Sequence, residues 1–96
     1  MPTYEQTEEF LHDLERLTPE QQRRFRSAVR KFIADLKAGR PPRPGLGVKG
    51  FKSREGVFEF HWAPDGRALF RYGSSPHPGE VLVIWLSVGS HDIYER

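Results

Sequence analysis

The strongest constraint on this fold is an apolar stripe that a glycine and three prolines bring to an end. Apolar residues recur along it every three or four positions, which is the spacing of one face of an α-helix. The stripe consists of Phe25, Ala28, Val29, Phe32, Ile33 and Leu36. Thr18 and Gln21 form a capping box before it, and Gly39 ends it. Because the prolines at positions 41, 42 and 44 forbid its continuation, one long helix stops there.

A shorter helix is expected just before this one. Apolar residues recur at helical spacing from Thr7 to Leu17, and Thr7 is a suitable N-cap. The connection at Leu17–Thr18 is so short that the two helices must form an antiparallel hairpin. Thr3–Gln6 is ambiguous, because a capping box there would start the helix earlier, whereas the same residues also suit a short strand.

After Gly45 the apolar period changes to two, which is typical of strands. Residues 57–62 and 67–72 alternate on either side of the turn sequence Pro64–Asp65–Gly66, and they predict a β-hairpin. Val81–Leu86 is a continuous apolar run, as in a strand that is covered on both faces. Leu46–Phe51 is expected to add a further strand. The sequence therefore predicts a single α+β domain over residues 1–96, with the helical hairpin on one face of a small antiparallel sheet of about four strands.

Length and composition exclude several classes of protein. A chain of 96 residues supports one core, and the absence of cysteine removes disulfide scaffolds, thiolate metal sites and cysteine nucleophiles. It also fits a reducing cytoplasm. We expect no membrane span, because no apolar run approaches about 20 residues. The acidic segment Met1–Glu9 is not expected to be a signal peptide.

The positive charge is concentrated in one part of the chain. The net charge is only +2, but residues 16–54 carry twelve Lys and Arg against two acidic residues. The remaining residues carry three basic and eleven acidic side chains. Such a distribution favours a basic surface that meets a polyanion, although half of these arginines would also suit the solvated face of a helix.

Ionisable side chains also gather on one predicted sheet face. Alternation places Glu59, His61, Arg67 and Arg71 on the face that the helices leave free. Glycine at position 89 allows the chain end to bring His91 and Tyr94 to the same surface. Two imidazoles, a carboxylate, an arginine and a phenol can cleave RNA without a metal, through attack of a 2′-hydroxyl under acid–base catalysis. No histidine pair has metal-ligand spacing, and we expect no cofactor.

These segments resemble the RelE/ParE superfamily of bacterial type II toxins from Glu9 to Tyr94. The segments that carry the resemblance are the helical hairpin followed by LGVKGFK, GVFEFHWAPDGRALFRYG and VIWLSVGSHDIY. The H-x-x-P-D segment at 61–65 and the G-S-H segment at 89–91 are similar to the YafQ branch. Arg67 resembles the phosphate-binding arginine of RelE-type enzymes.

The resemblance implies a ribosome-dependent endoribonuclease that cleaves mRNA and is neutralised by a cognate antitoxin protein. The implied catalytic residues are His61, Asp65, Arg67, His91 and Tyr94. From the residues alone, His61 or Glu59 is the base and His91 the acid, and the two histidines are interchangeable in these roles. Tyr94 would orient the substrate or His91. RNA contacts are expected from Lys49, Lys52, Arg54 and Arg71.

Two alternatives remain at this stage. A toxin of the ParE kind has the same fold and inhibits DNA gyrase by binding, without a need for two histidines on the sheet face. An inactive interaction module that kept the fold is the second alternative. His61 together with His91 favours the nuclease.

The basic stretch generates the first prediction. If residues 16–54 contact ribosomal RNA, binding must weaken steeply as salt rises, because phosphate contacts release counterions. The dissociation constant for ribosomes, measured over a series of salt concentrations, checks this. Binding that is independent of salt would contradict it.

Overall fold

Two helices lie on one face of a five-stranded sheet. The computed structural model describes residues 3–75 and 77–95. Its elements are β1 (Thr3–Gln6), α1 (Glu8–Arg16), α2 (Pro19–Lys37), β2 (Lys49–Gly50), β3 (Val57–His61), β4 (Gly66–Ser74) and β5 (Val81–Ser90). Short 3-10 turns cover Pro44–Leu46 and His91–Glu95. Within the described ranges, no helix has the length and apolarity that a membrane crossing requires. The expected α+β class is confirmed.

The sheet is mixed, in the order β1-β5-β4-β3-β2. Strands β2 to β5 form the four antiparallel strands that the sequence predicts. The strand expected over Leu46–Phe51 is reduced to Lys49–Gly50, because Leu46 belongs to a 3-10 turn. The fifth strand is β1, the segment that the sequence left open between helix and strand, and it runs parallel to β5 with Thr3 opposite Leu82 and Gln6 opposite Trp85. This strand has only four residues and no apolar alternation, so nothing in its pattern identifies its neighbour. The chain between these two strands contains the helical hairpin and strands β2 to β4, so it is longer than the dozen or so residues that a parallel connection needs.

The contacts of Thr7 show whether residues 3–6 belong to the first helix or to a strand. Its Oγ1 accepts the Phe10 N–H at 3.2 Å and therefore caps α1. The same hydroxyl donates to the Trp85 carbonyl at 3.1 Å, which ties the start of α1 to β5. Residues 3–6 are consequently a strand and not an earlier start of the helix.

The limits of α2 agree with the sequence. Thr18 Oγ1 accepts the Gln21 N–H at 3.1 Å, and Gln21 Oε1 accepts the Thr18 N–H at 2.8 Å, so the predicted capping box is present. At the other end Gly39 has a φ of 69°, and the Arg40 N–H donates to the Asp35 carbonyl at 3.0 Å. This bond and the left-handed glycine form a Schellman motif.

The main core lies between the helices and the sheet and consists largely of aromatic rings. Phe32 of α2 is fully buried and contacts Phe60, Phe70 and Trp85, with ring centroids 5.2 to 6.3 Å apart. Trp62 and Trp85 are both buried in this core. The apolar face of the β3–β4 hairpin therefore points toward the helices, which leaves Glu59 and His61 on the opposite face.

That opposite face is only partly free. Val57 of β3, Leu69 of β4 and Ile93 of the C-terminal turn form a second buried cluster, on which Leu86 and Tyr94 pack. Leu86 belongs to a β-bulge, because Leu69 pairs with Ser87 whereas Phe70 pairs with Trp85. The expectation that the chain end returns to this face is confirmed for Tyr94, and the turn covers part of the surface that we expected to be open.

Asp35 holds the proline-rich segment that follows α2. Its side chain is almost fully buried and accepts hydrogen bonds from the guanidinium groups of Arg40 and Arg43. The bonds from Arg43 and then from Arg40 hold the pKa of the Asp35 carboxyl well below its usual range. The carboxylate therefore fixes the direction in which the chain leaves the helix.

The aromatic core generates a stability prediction. Phe32→Ala should lower the free energy of unfolding by about 3–5 kcal/mol, because it removes a fully buried ring and leaves a cavity. Leu11, which is 42% exposed, is the control, and Leu11→Ala should change stability much less. Urea unfolding followed by far-UV circular dichroism measures both. Equal losses in the two variants would contradict this description of the core.

Candidate functional site

The β3–β4 register brings the candidate catalytic residues together. His61 lies directly opposite Arg67, and Glu59 lies between Leu69 of β4 and Lys49 of β2. Directly opposed residues on paired strands share a face, so His61 and Arg67 point the same way. We refer to Glu59, His61, Arg67 and Tyr94 as the hairpin cluster.

His61 is held so that its imidazole is neutral near pH 7. Burial lowers the pKa of His61, the positive charges of Arg67 and Lys49 lower it further, and the charge of Glu59 acts in the opposite direction. Its Nε2 lies 3.9 Å from Glu59 Oε1. A neutral imidazole can accept a proton at its unprotonated nitrogen.

Gly47 supports the other side of the imidazole. A Cβ built at position 47 would lie 2.5 Å from His61 Nδ1, and Gly47 has a φ of 57°, where glycine is favoured. The backbone therefore approaches the ring more closely than any other residue would allow. This contact fixes which ring edge faces Glu59.

The guanidinium of Arg67 is fixed by the turn of its own hairpin. Its Nη1 donates to the carbonyl of Gly66 at 2.9 Å and to those of Ala63 and Pro64 at 3.3 Å each. The turn that the sequence predicts therefore orients the charge beside His61. A charge fixed in advance stabilises a developing negative charge without reorganising at the moment of reaction.

Tyr94 supplies a hydrogen-bond donor to this cluster. Its hydroxyl is buried. Burial raises the pKa of the Tyr94 phenol, and the negative charge of Glu59 raises it further, so the phenol keeps its proton at neutral pH. The ring packs on Phe51 and on the exposed His91, with centroids 5.2 and 5.3 Å away. His91 therefore lies at the rim of the cluster, in contact with the ring of Tyr94.

The other candidates lie around the cluster. Asp65 is exposed in the hairpin turn and lines a separate depression of about 300 Å³ with Gly89 and Ser90. Lys52 and Arg54 are exposed in the loop before β3. Arg71 is exposed on β4, opposite Val57. Lys49 is exposed too, but its charge reaches His61.

A larger cleft opens at the edge of the sheet, next to His61. It has a volume of about 380 Å³ and lies between α2, the turn at residues 44–46 and the hairpin turn. Its ionisable lining residues are Lys31, Arg43, His61 and Arg67. We call it the edge cleft. Lys31 and Arg43 belong to the basic stretch of the sequence, but their place in the site could not be predicted, because only the fold brings helix, loop and hairpin together.

The arrangement is suited to proton transfer next to an anion. His61 can accept a proton, the Tyr94 phenol can donate a hydrogen bond, and Arg67 can stabilise negative charge. Within residues 3–75 and 77–95, no three His, Asp or Glu side chains are grouped to hold a metal ion.

Comparison with known proteins shows the fold. No protein-family model and no curated protein matches the chain. Among solved structures, the conserved hypothetical protein HP0892 from Helicobacter pylori is similar at a TM-score of 0.55 and 19% identity, over 96% of this chain and 97% of that one. The conserved hypothetical protein HP0894 from the same organism has a TM-score of 0.49, with the same identity and coverage. The first likeness extends over nearly the whole of both chains and shows a shared fold.

The charges around His61 generate a prediction for its titration. His61 should titrate below its ordinary value of 6.5. Arg67→Gln should raise this pKa because it removes a positive charge, and Glu59→Gln should lower it further because it removes a negative one. Histidine ring resonances in NMR, followed between pH 4 and 9, measure the three values. Shifts of opposite sign to these would contradict the assigned geometry.

Proposed function

We propose that the chain is an endoribonuclease toxin of the RelE kind, which cleaves mRNA on the ribosome by acid–base attack of a 2′-hydroxyl. One observation carries the proposal: a histidine with a lowered pKa lies opposite a guanidinium that its own turn fixes, beside a buried phenol. The resemblance of the hairpin and the G-S-H segment to the YafQ branch supports it. The likeness to HP0892 supports the fold on which it rests.

His61 is the base in the proposed reaction. It takes the proton of the 2′-hydroxyl, and the freed oxygen forms a bond to the adjacent phosphorus. The bond from phosphorus to the 5′ oxygen breaks, and His91 gives that oxygen a proton. Arg67 stabilises the additional charge on the phosphate oxygens in the transition state. The products are a 2′,3′-cyclic phosphate and a free 5′-hydroxyl, so the substrate must be RNA.

Glu59 and Tyr94 have positioning roles in this scheme. The Glu59 charge raises the pKa of His61 against the lowering effects of burial and Arg67, which keeps the imidazole basic enough to react. Tyr94 packs between Phe51 and His91 and so orients His91. Glu59 remains the alternative base.

The exposed cations around the cluster suit the proposed partners. Lys49, Lys52, Arg54 and Arg71 are all exposed and would hold the RNA backbone. The helix surface adds further cations that would contact ribosomal RNA. An antitoxin with an acidic segment would neutralise the same surface.

Cleavage of ribosome-bound mRNA tests the proposal. Purified ribosomes programmed with a defined mRNA are incubated with wild type, His61→Asn and His91→Ala, and the 3′ ends are mapped. Loss of one acid–base group should reduce the rate by about 10²–10⁴-fold. His12 is exposed on α1, so His12→Asn is the matched control and should cleave like wild type.

Two results would contradict the nuclease, and a third would contradict only the assignment of its base. Growth inhibition without cleavage, together with gyrase–DNA breaks, would favour the ParE kind of toxin. No effect in either assay would favour an inactive module. Full activity in His61→Asn would remove His61 as the base.

A further inference from the structure

The edge cleft has a wall that the proposed cleavage step does not use. His61 and Arg67 form the wall on the hairpin side, where the reaction is placed. The remaining ionisable lining groups, Lys31 and Arg43, come from α2 and from the segment after it. No acidic side chain lines the cleft within the described ranges. Because positive charge lies on two walls of the same cleft, the cleft should bind best an anion that carries two separate negative groups.

Arg43 is fixed in direction before any ligand arrives. Its Nε and Nη2 bond the two Asp35 carboxylate oxygens at 3.0 and 2.9 Å, and its backbone N–H bonds Asp35 Oδ2 at 2.9 Å. Its Nη2 also reaches the Lys31 carbonyl at 3.4 Å, so the two cationic residues are joined. Since Asp35 is buried behind them, the carboxylate orients Arg43 without entering the cleft. A group held in this way loses little freedom on binding.

The wall between the charges is apolar and rigid. Leu46 is 4% exposed and Trp62 is 9% exposed, and Pro64 completes this part of the lining. Trp62 Nε1 donates to the Arg67 carbonyl at 3.0 Å, and a Cβ at Gly66 would lie 2.5 Å from the indole. The indole is therefore locked beside Arg67. A base or ribose can pack on such a wall, and about 380 Å³ lies within the size range of small-ligand sites.

We propose that the edge cleft binds the nucleotide next to the cleaved phosphodiester of the RNA strand. The cleaved phosphate lies at His61 and Arg67, the nucleoside packs on Leu46 and Trp62, and the next phosphate meets Lys31 and Arg43. This inference rests on the proposed function, since it shares His61 and Arg67 with it. Two successive phosphates of one RNA strand can each contact one of the two cationic walls. A free 5′-mononucleotide has a single phosphate group and can contact only one wall.

The test separates binding from cleavage. The probe is a fluorescent 2′-O-methyl trinucleotide, which has no free 2′-hydroxyl and so cannot be cleaved by this chemistry. Its dissociation constant is measured by anisotropy without ribosomes, between 50 and 200 mM salt. Loss of one phosphate contact in Lys31→Gln should weaken binding and reduce the slope of log affinity against log salt by about 0.7.

Two further variants test whether the effect of Lys31→Gln comes from the position of the lost charge or only from the lower total charge. Lys37→Gln removes the same charge six residues along α2, outside the cleft lining, and should keep the wild-type slope in this assay. Lys31→Arg should restore the slope because it keeps a cation at the cleft. In NMR, the trinucleotide should shift the indole N–H resonance of Trp62 and leave that of the buried Trp85 in place.

Several outcomes would overturn the inference. One is an unchanged slope in Lys31→Gln; another is an equal loss in Lys37→Gln. A third is binding of a 5′-mononucleotide as tight as that of the trinucleotide, which would indicate a free-nucleotide site. Failure of the cleft and failure of the proposed function are distinguishable. Intact mRNA cleavage with an unchanged slope rejects the cleft and leaves the nuclease. Absent cleavage with the expected slope rejects the nuclease and leaves the cleft as an RNA-binding site without a cleaved bond.

Discussion

The register between β3 and β4 is the constraint on which the rest of the structure depends. Phe58 opposite Phe70 and Phe60 opposite Ala68 fix it, because these side chains must face the buried rings of the helices. A slip by one residue would turn the apolar set outward and move His61 and Arg67 into the core. The same packing that stabilises the domain therefore also sets the direction of its ionisable groups.

The two faces of the sheet have different structural roles. Its helix side is a closed aromatic core, whereas its other side carries a small apolar cluster around Val57, Leu69 and Ile93 next to the ionisable groups. The C-terminal turn, which includes Tyr94, packs against that cluster. Burial and the charges of Arg67, Lys49 and Glu59 together set the lowered pKa of His61, whereas burial and the charge of Glu59 raise the pKa of Tyr94.

The sequence predicted well what short-range patterns determine. Caps at Thr7, Thr18 and Gly39, the hairpin turn and the buried character of β5 all follow from local rules, and the alternation placed Glu59 and His61 on one face. The pairing of β1 with β5 could not be predicted, because residues 3 to 6 contain no signal for their partner. The edge cleft depends on Lys31 and Arg43, the latter held by Asp35, meeting His61 and Arg67 of a hairpin further along the chain, and no periodicity encodes that meeting.

The position of β5 in the sheet has a consequence for the order of assembly. This strand follows all the others in the chain, yet it lies between β1 and β4, and Thr7 bonds it across 78 residues of sequence. A chain leaving the ribosome therefore displays its helices and hairpin before the strand that joins the two halves of the sheet exists. Non-local pairing of this kind is late and slow. Tyr94 and His91 join the candidate site at the same late moment, so the site is complete only once this last strand has paired.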